Sequence, residues 1–79
     1  MDTGLAFGKT LRIRRKEAKL TQEQLALEAE VQRNYVSLIE RGINQPTITI
    51  IFKLAKALQC KPSDLVRDVE NLVNTESTD

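Results

Sequence analysis

Residues 20–42 read LTQEQLALEAEVQRNYVSLIERG, and this stretch decides the fold. Thr21 followed by Gln22, Glu23 and Gln24 is a helix start, with a hydroxyl cap, a glutamine three positions later and Leu20 placed as a hydrophobic staple. The helix it opens carries Leu25, Ala26 and Ala29 on one face, and the two small alanines let another helix approach closely. After a break near Glu30 and Val31, a second short helix spans about Arg33 to Arg41 with Val36 and Ile39 inward, and Gly42 stops it. Gln32, Arg33, Asn34 and Ser37 then point outward, and all four can hydrogen-bond. Two short helices about three residues apart, the second polar on its exposed side, form the geometry that sets a helix into a DNA major groove. A plain helical hairpin with a polar surface has the same spacing.

Before this stretch, Phe7, Leu11, Arg15 and Ala18 recur at spacings of three and four, which predicts a helix from about Leu5 to Ala18. Its apolar stripe is thin, and Arg14 and Arg15 stand where a more hydrophobic helix would continue inward, so at least one of them needs a partner. After it, Ile43 to Pro46 is a loop, and Thr47 caps a helix carrying Ile48, Ile51, Leu54, Ala55 and Leu58. The β-branched run from Thr47 to Phe52 is not a strand, because the helical spacing continues through Leu58 and nothing is available to pair with it. Pro62 opens a last helix with Leu65, Val66, Val69, Leu72 and Val73, followed by a polar tail, 74–79, expected to fray. The expectation is an all-α, five-helix, single domain over 1–79.

A chain of 79 residues buries only about 60% of its unfolded surface, so every helix must contribute to an economical core. Aromatic residues are 4% of the chain, which makes that core aliphatic. No apolar run is long enough to span a bilayer and no secretory leader is evident, so a cytoplasmic protein without membrane contact is expected. Cys60 is the one cysteine and there is no histidine, so neither an internal disulfide nor a zinc site can be built, and Cys60 reads as a buried small hydrophobe. Without histidine, a phosphate loop or a nucleophile motif, no enzymatic constellation or cofactor site stands out. Charge is unevenly placed: Lys9 to Lys19 hold six basic residues and one acid, whereas Pro62 onward holds five acids and one arginine. That asymmetry suits a basic face turned to a polyanion, and it equally suits a solvated helix face.

Four motifs in order carry a resemblance. They are Leu20-Thr21-Gln22-Glu23-Gln24-Leu25-Ala26, Tyr35-Val36-Ser37-Leu38-Ile39-Glu40-Arg41-Gly42, Pro46-Thr47-Ile48 and Leu54-Ala55-Lys56-Ala57-Leu58. Over roughly Phe7 to Val66 the chain resembles the Cro and phage-repressor helix-turn-helix family, also called the xenobiotic-response-element family. The resemblance implies a lambda-repressor-like DNA-binding domain over 11–65, with its helix-turn-helix motif at 22–41. Within it, Arg33-Asn34-Tyr35-Val36-Ser37 followed by Ile39-Glu40-Arg41-Gly42 looks most like restriction-modification controller proteins, a pattern that phage and mobile-element repressors largely share.

The same resemblance implies roles. Gln32, Arg33, Asn34 and Ser37 match base-facing positions, Arg33 suiting a guanine and Asn34 an adenine or a phosphate. Leu38 is placed either to touch a thymine methyl or to remain a lone exposed leucine. Gln22 matches a backbone clamp at a helix start, while Arg41, Asn44 and Gln45 follow the reading helix and reach phosphates. Tyr35 either bonds a phosphate or packs its ring between helices. Arg15 and Glu40 correspond to an ion pair joining the first and third helices. Three positions depart from the pattern: Glu30 stands where glycine or asparagine takes a left-handed turn, Lys61 replaces a serine cap, and Arg14 fills an apolar slot and extends the basic face.

Ile50 and Phe52, with Val66, Val69 and Val73, exceed what one small core needs, which predicts a two-fold homodimer built on the fifth helix. Its two reading helices would meet successive major grooves of double-stranded DNA about 34 Å apart. Transcription activation would bring Glu23 or Glu28 against RNA polymerase, although such glutamates are ordinary on helix surfaces. The competing reading is an antitoxin-like protein-interaction module, for which only the short tail after Val73 is available as a partner-binding segment.

Overall fold

The computed structural model describes residues 1–77. They form α1 (Thr3–Glu17), α2 (Gln22–Ala29), α3 (Arg33–Glu40), α4 (Ile48–Ala57) and α5 (Pro62–Ser77), with no strand among them. The all-α, five-helix expectation is met, including the helix in place of a β-branched strand at Ile48. Each helix supplies at least one fully buried side chain to a single core: Leu11, Leu25, Val36 and Ile39, Leu54, and Leu65. Burying a side chain of this size is worth about 1.5–3 kcal/mol, so the core draws on all five helices as a short chain requires.

α1 starts two residues earlier than periodicity predicts because the Asp2 carboxylate accepts the Leu5 N–H at 3.1 Å and caps it. Its inner face is made by Gly4, Ala6, Phe7, Gly8, Thr10 and Leu11, while Ala18, expected inward, lies exposed past its end. Gly8 explains how α1 meets α3. A Cβ there would stand 2.6 Å from the carbonyl oxygens of both Ile39 and Glu40. The backbones touch at a distance that only glycine permits.

Four helices end in the same way. Leu20 N–H bonds Arg15 C=O (3.1 Å), Val31 bonds Ala26 (2.9 Å), Ile43 bonds Leu38 (3.0 Å) and Cys60 bonds Ala55 (3.0 Å). The residue before each donor is left-handed: Lys19, Glu30, Gly42 and Gln59, at φ 61°, 59°, 75° and 58°. This is the glycine-type helix stop, yet glycine fills it only once. Glu30 therefore keeps the turn between α2 and α3 that the family pattern assigns to glycine, so the departure changes its energy and not its shape. A side chain in this conformation costs about 1–2 kcal/mol, and glycine gives back about half of that through its freer unfolded chain. Glu30→Gly is expected to stabilise the protein by about 0.5–1 kcal/mol, measured as a higher urea midpoint at unchanged slope.

The other two departures are also compensated. Arg14 does not extend the basic face: its Nε donates to Asp68 Oδ2 at 2.8 Å, tying α1 to α5. Lys61 has no capping hydroxyl, but its N–H donates to the Asp64 carboxylate at 2.9 Å, the reciprocal half of a capping box. That bond, with the one from Arg67 at 2.7 Å, holds Asp64 below the ordinary carboxylate range. A depressed carboxylate stabilises the fold above its unfolded pKa and loses that contribution as pH falls through its folded pKa. Asp64→Ala is expected to flatten this part of the acid limb, seen by comparing urea midpoints with wild type between about pH 5 and pH 2.

At the other end, Asn74 to Ser77 continue α5 where fraying is expected, and 78–79 lie outside the described residues. Cys60 is half-buried against the core, and desolvation pushes its thiol pKa up.

Candidate nucleic-acid interface

α2 and α3 are joined by the left-handed turn at Glu30, which leaves α3 across the surface with Val36 and Ile39 buried beneath it. Gln32 stands exposed at the N-cap of α3, Arg33 and Asn34 are exposed on its first turn, and Ser37 is half-buried one turn further on. No side chain caps the first turn of α3 and no acid occupies it. The positive end of the helix therefore opens beside the Arg33 guanidinium, a combination that favours anions.

Two shallow recesses flank this ridge. On one side Gln22, Arg33, Asn34 and Ser37 line a polar recess of about 260 Å³, which brings the start of α2 against the outer face of α3. On the other, Gln32, Asn34, Tyr35 and Leu38 line a recess of about 330 Å³. Leu38 is half-buried in its wall and is not a fully exposed leucine. The Tyr35 ring packs against the core, which favours the packing role over a purely phosphate-bonding one. Arg41 and Gln45 are exposed and Asn44 is half-buried beyond the end of α3.

The ridge is held from behind by one carboxylate. Arg15 Nε donates to Glu40 Oε2 at 2.6 Å and Nη2 donates to Oε1 at 3.0 Å, a bidentate pair across α1 and α3. Arg15 Nη1 also donates to the Leu20 carbonyl at 2.9 Å, which fixes the end of α1. The two side chains are 11% and 4% exposed, so the pair is largely shielded from solvent although each residue as a whole is half-buried. The bond to Glu40 raises the Arg15 pKa against the opposing effect of burial. Gln22 Nε2 donates to Glu40 Oε1 as well, at 3.0 Å. Sequence reasoning separated Gln22 from the ion pair, since no local pattern links residues 18 positions apart.

The expected dimer residues divide. Phe52 is 59% and Val66 49% exposed, with Ile48 exposed one turn before Phe52. Ile50 and Val73 are half-buried against the chain's own core. Val69 is only 8% exposed and belongs to that core, so its side chain is not available to a partner. The valine stripe on α5 covers the monomer's interior with Val69 and leaves Val66 outside.

A capped helix, a left-handed turn and a second helix presenting amides and a guanidinium define a helix-turn-helix domain of the DNA-binding kind. The Helix-turn-helix family (HTH_3) matches residues 11–65, and the chain belongs to it. It is 40% identical over 73 residues to control protein C.BamHI of Bacillus amyloliquefaciens, covering 91% of this chain and 89% of that one. Among solved structures, the restriction-modification controller protein C.AhdI of Aeromonas hydrophila superposes with a TM-score of 0.76 at 39% identity, over 77% of this chain and 92% of that one. The DNA-binding domain of the P22 c2 repressor gives 0.75 at 36% identity, over 84% and 86%. The repressor-like fold read from the sequence is thus the fold observed. No helix among the described residues is long and apolar enough to cross a membrane.

Proposed function

We propose that this chain is a cytoplasmic transcription regulator that binds double-stranded DNA as a homodimer, with the role of a restriction-modification controller protein. The observation that carries this is the outer face of α3, where exposed Arg33 and Asn34 open a first turn that holds no acid and exposed Gln32 stands before it at an uncapped helix start. Arg33 takes a guanine through a bidentate contact, and Asn34 and Gln32 have the amide geometry suited to adenine. Gln22, Arg41, Asn44 and Gln45 surround this face and position the protein on phosphates. Relatives that are control proteins support the controller role.

Pairing rests on Ile48, Phe52 and Val66, large apolar side chains left exposed on α4 and α5. An exposed apolar set of this kind on so small a domain marks a contact surface. A two-fold pair there places two copies of α3 on half-sites one helical turn apart.

Gel shifts on the DNA upstream of its own gene test the reading, with sedimentation of the free protein as companion. A retarded complex that forms on this DNA in preference to a scrambled duplex, from a protein sedimenting as a dimer, is the expected result. Absence of any complex at low salt refutes DNA binding. An endonuclease and methyltransferase encoded beside the gene is the expected neighbourhood of a controller.

A further inference from the structure

Glu40 serves two donors with one oxygen. Its Oε1 accepts from Arg15 Nη2 and from Gln22 Nε2, each at 3.0 Å, while Oε2 is taken by Arg15 Nε. An ionised carboxylate can only accept, so Gln22 must turn its NH2 group inward toward Glu40, which fixes which way round the amide lies. One hydrogen of that group is committed to Glu40. The second remains for another acceptor, on a side chain that lines the polar recess with Arg33, Asn34 and Ser37.

The charges fit this use. A bare carboxylate behind a phosphate contact would repel it, but Glu40 is neutralised by a bidentate guanidinium. What the unit offers is the polarised N–H of an amide whose partner is charged. A glutamine is also a rotamer-rich side chain that loses freedom on binding, and the bond to a buried acceptor removes part of that loss in advance.

We propose that Glu40 is a positioning residue for the DNA contact: it pre-orients the Gln22 amide so that its second N–H meets a backbone phosphate oxygen. The inference rests on the DNA-binding reading above. It makes the α1–α3 ion pair part of the affinity for DNA as well as part of the fold.

The test uses the full chain and a duplex recovered by selection from random double-stranded DNA. Gln22→Ala is expected to weaken binding about tenfold or more for each of the two half-sites, the worth of one hydrogen bond to a charged group in each. Glu40→Gln is expected to weaken it comparably in wild type and to add nothing in a Gln22→Ala background. The contacted phosphate, located by scanning and replaced by a neutral methylphosphonate in both half-sites, is expected to erase the Glu40→Gln effect, which a purely structural role would leave in place. Losses that add in the double variant, or that persist on every methylphosphonate duplex, overturn the proposal. Gln22→Ala without loss overturns the phosphate assignment of Gln22 itself. A folded Glu40→Gln variant with wild-type affinity, beside a weakened Gln22→Ala, overturns the positioning role alone. Should Glu40→Gln fail to fold, relaxation of the Gln22 side-chain amide in the free wild-type protein decides. An order parameter near that of rigid backbone, about 0.85, supports the restraint, and one below about 0.6 overturns it.

Discussion

Arg15→Ala is expected to lower the unfolding free energy by about 3–5 kcal/mol, because it leaves Glu40 buried with its charge uncompensated. A domain of 79 residues has a total stability of about 4–12 kcal/mol, so this one change removes a large share of it. The three bonds made by Arg15 explain the size of the loss. Two of them satisfy Glu40 and the third satisfies the Leu20 carbonyl at the end of α1, so the variant abandons acceptors on two elements. The melting temperature should fall by more than about 10 °C, measured by calorimetry or far-ultraviolet circular dichroism. Arg15→Met combined with Glu40→Leu should recover most of the stability, since apolar replacement removes both charges together. A single variant as stable as wild type would show that the pair contributes little to the fold.

Arg33→Ala is expected to act on DNA and not on the fold. Arg33 is exposed on the first turn of α3 and neither core nor cap depends on it. Losing a bidentate guanine contact costs about 1–3 kcal/mol per half-site, or roughly 5- to 150-fold for each of the two copies of α3. Two features identify this loss as one of reading. The preference should relax at one base position, and affinity for unrelated DNA should change only as removal of one positive charge requires. Competition binding against a set of duplexes with single base changes measures both. A uniform loss across all duplexes would reassign Arg33 to the phosphate backbone.

The parts of the fold written in local pattern were legible in the sequence. Thr21 and Gln24 form the capping box they predict, Thr47 caps α4 through the Ile50 N–H, and Gly42 stops α3 in a left-handed turn. Helical spacing placed Leu25, Val36, Ile39, Leu54 and Leu65 inward, where they lie. The Arg15–Glu40 pair was legible only through resemblance, because 25 residues separate the partners. What escaped was tertiary. Arg14 looked like added basic surface until Asp68 of α5 folded beside it. Val69 shares its stripe with Val66, and which of them faces outward depends on how α5 rolls on α1. The importance of Gly8 is the closeness of the α3 backbone, a distance that no spacing in α1 encodes. The proposed reading face falls on one short helix and its N-cap, Gln32 to Leu38, seven consecutive residues, whereas the support beneath Gln22 spans two helices.

The outer face of α3 is proposed to read double-stranded DNA. The most direct measurement of this is the ratio of affinities, at one salt concentration, for the DNA upstream of the gene and for a scrambled duplex of equal length. Wild type is expected to favour the upstream DNA by about 10³ or more, and Arg33→Ala to lower that ratio while sedimenting and melting as wild type does. Equal affinity of the wild-type protein for the two duplexes, or an unchanged ratio in Arg33→Ala and Asn34→Ala, would contradict it.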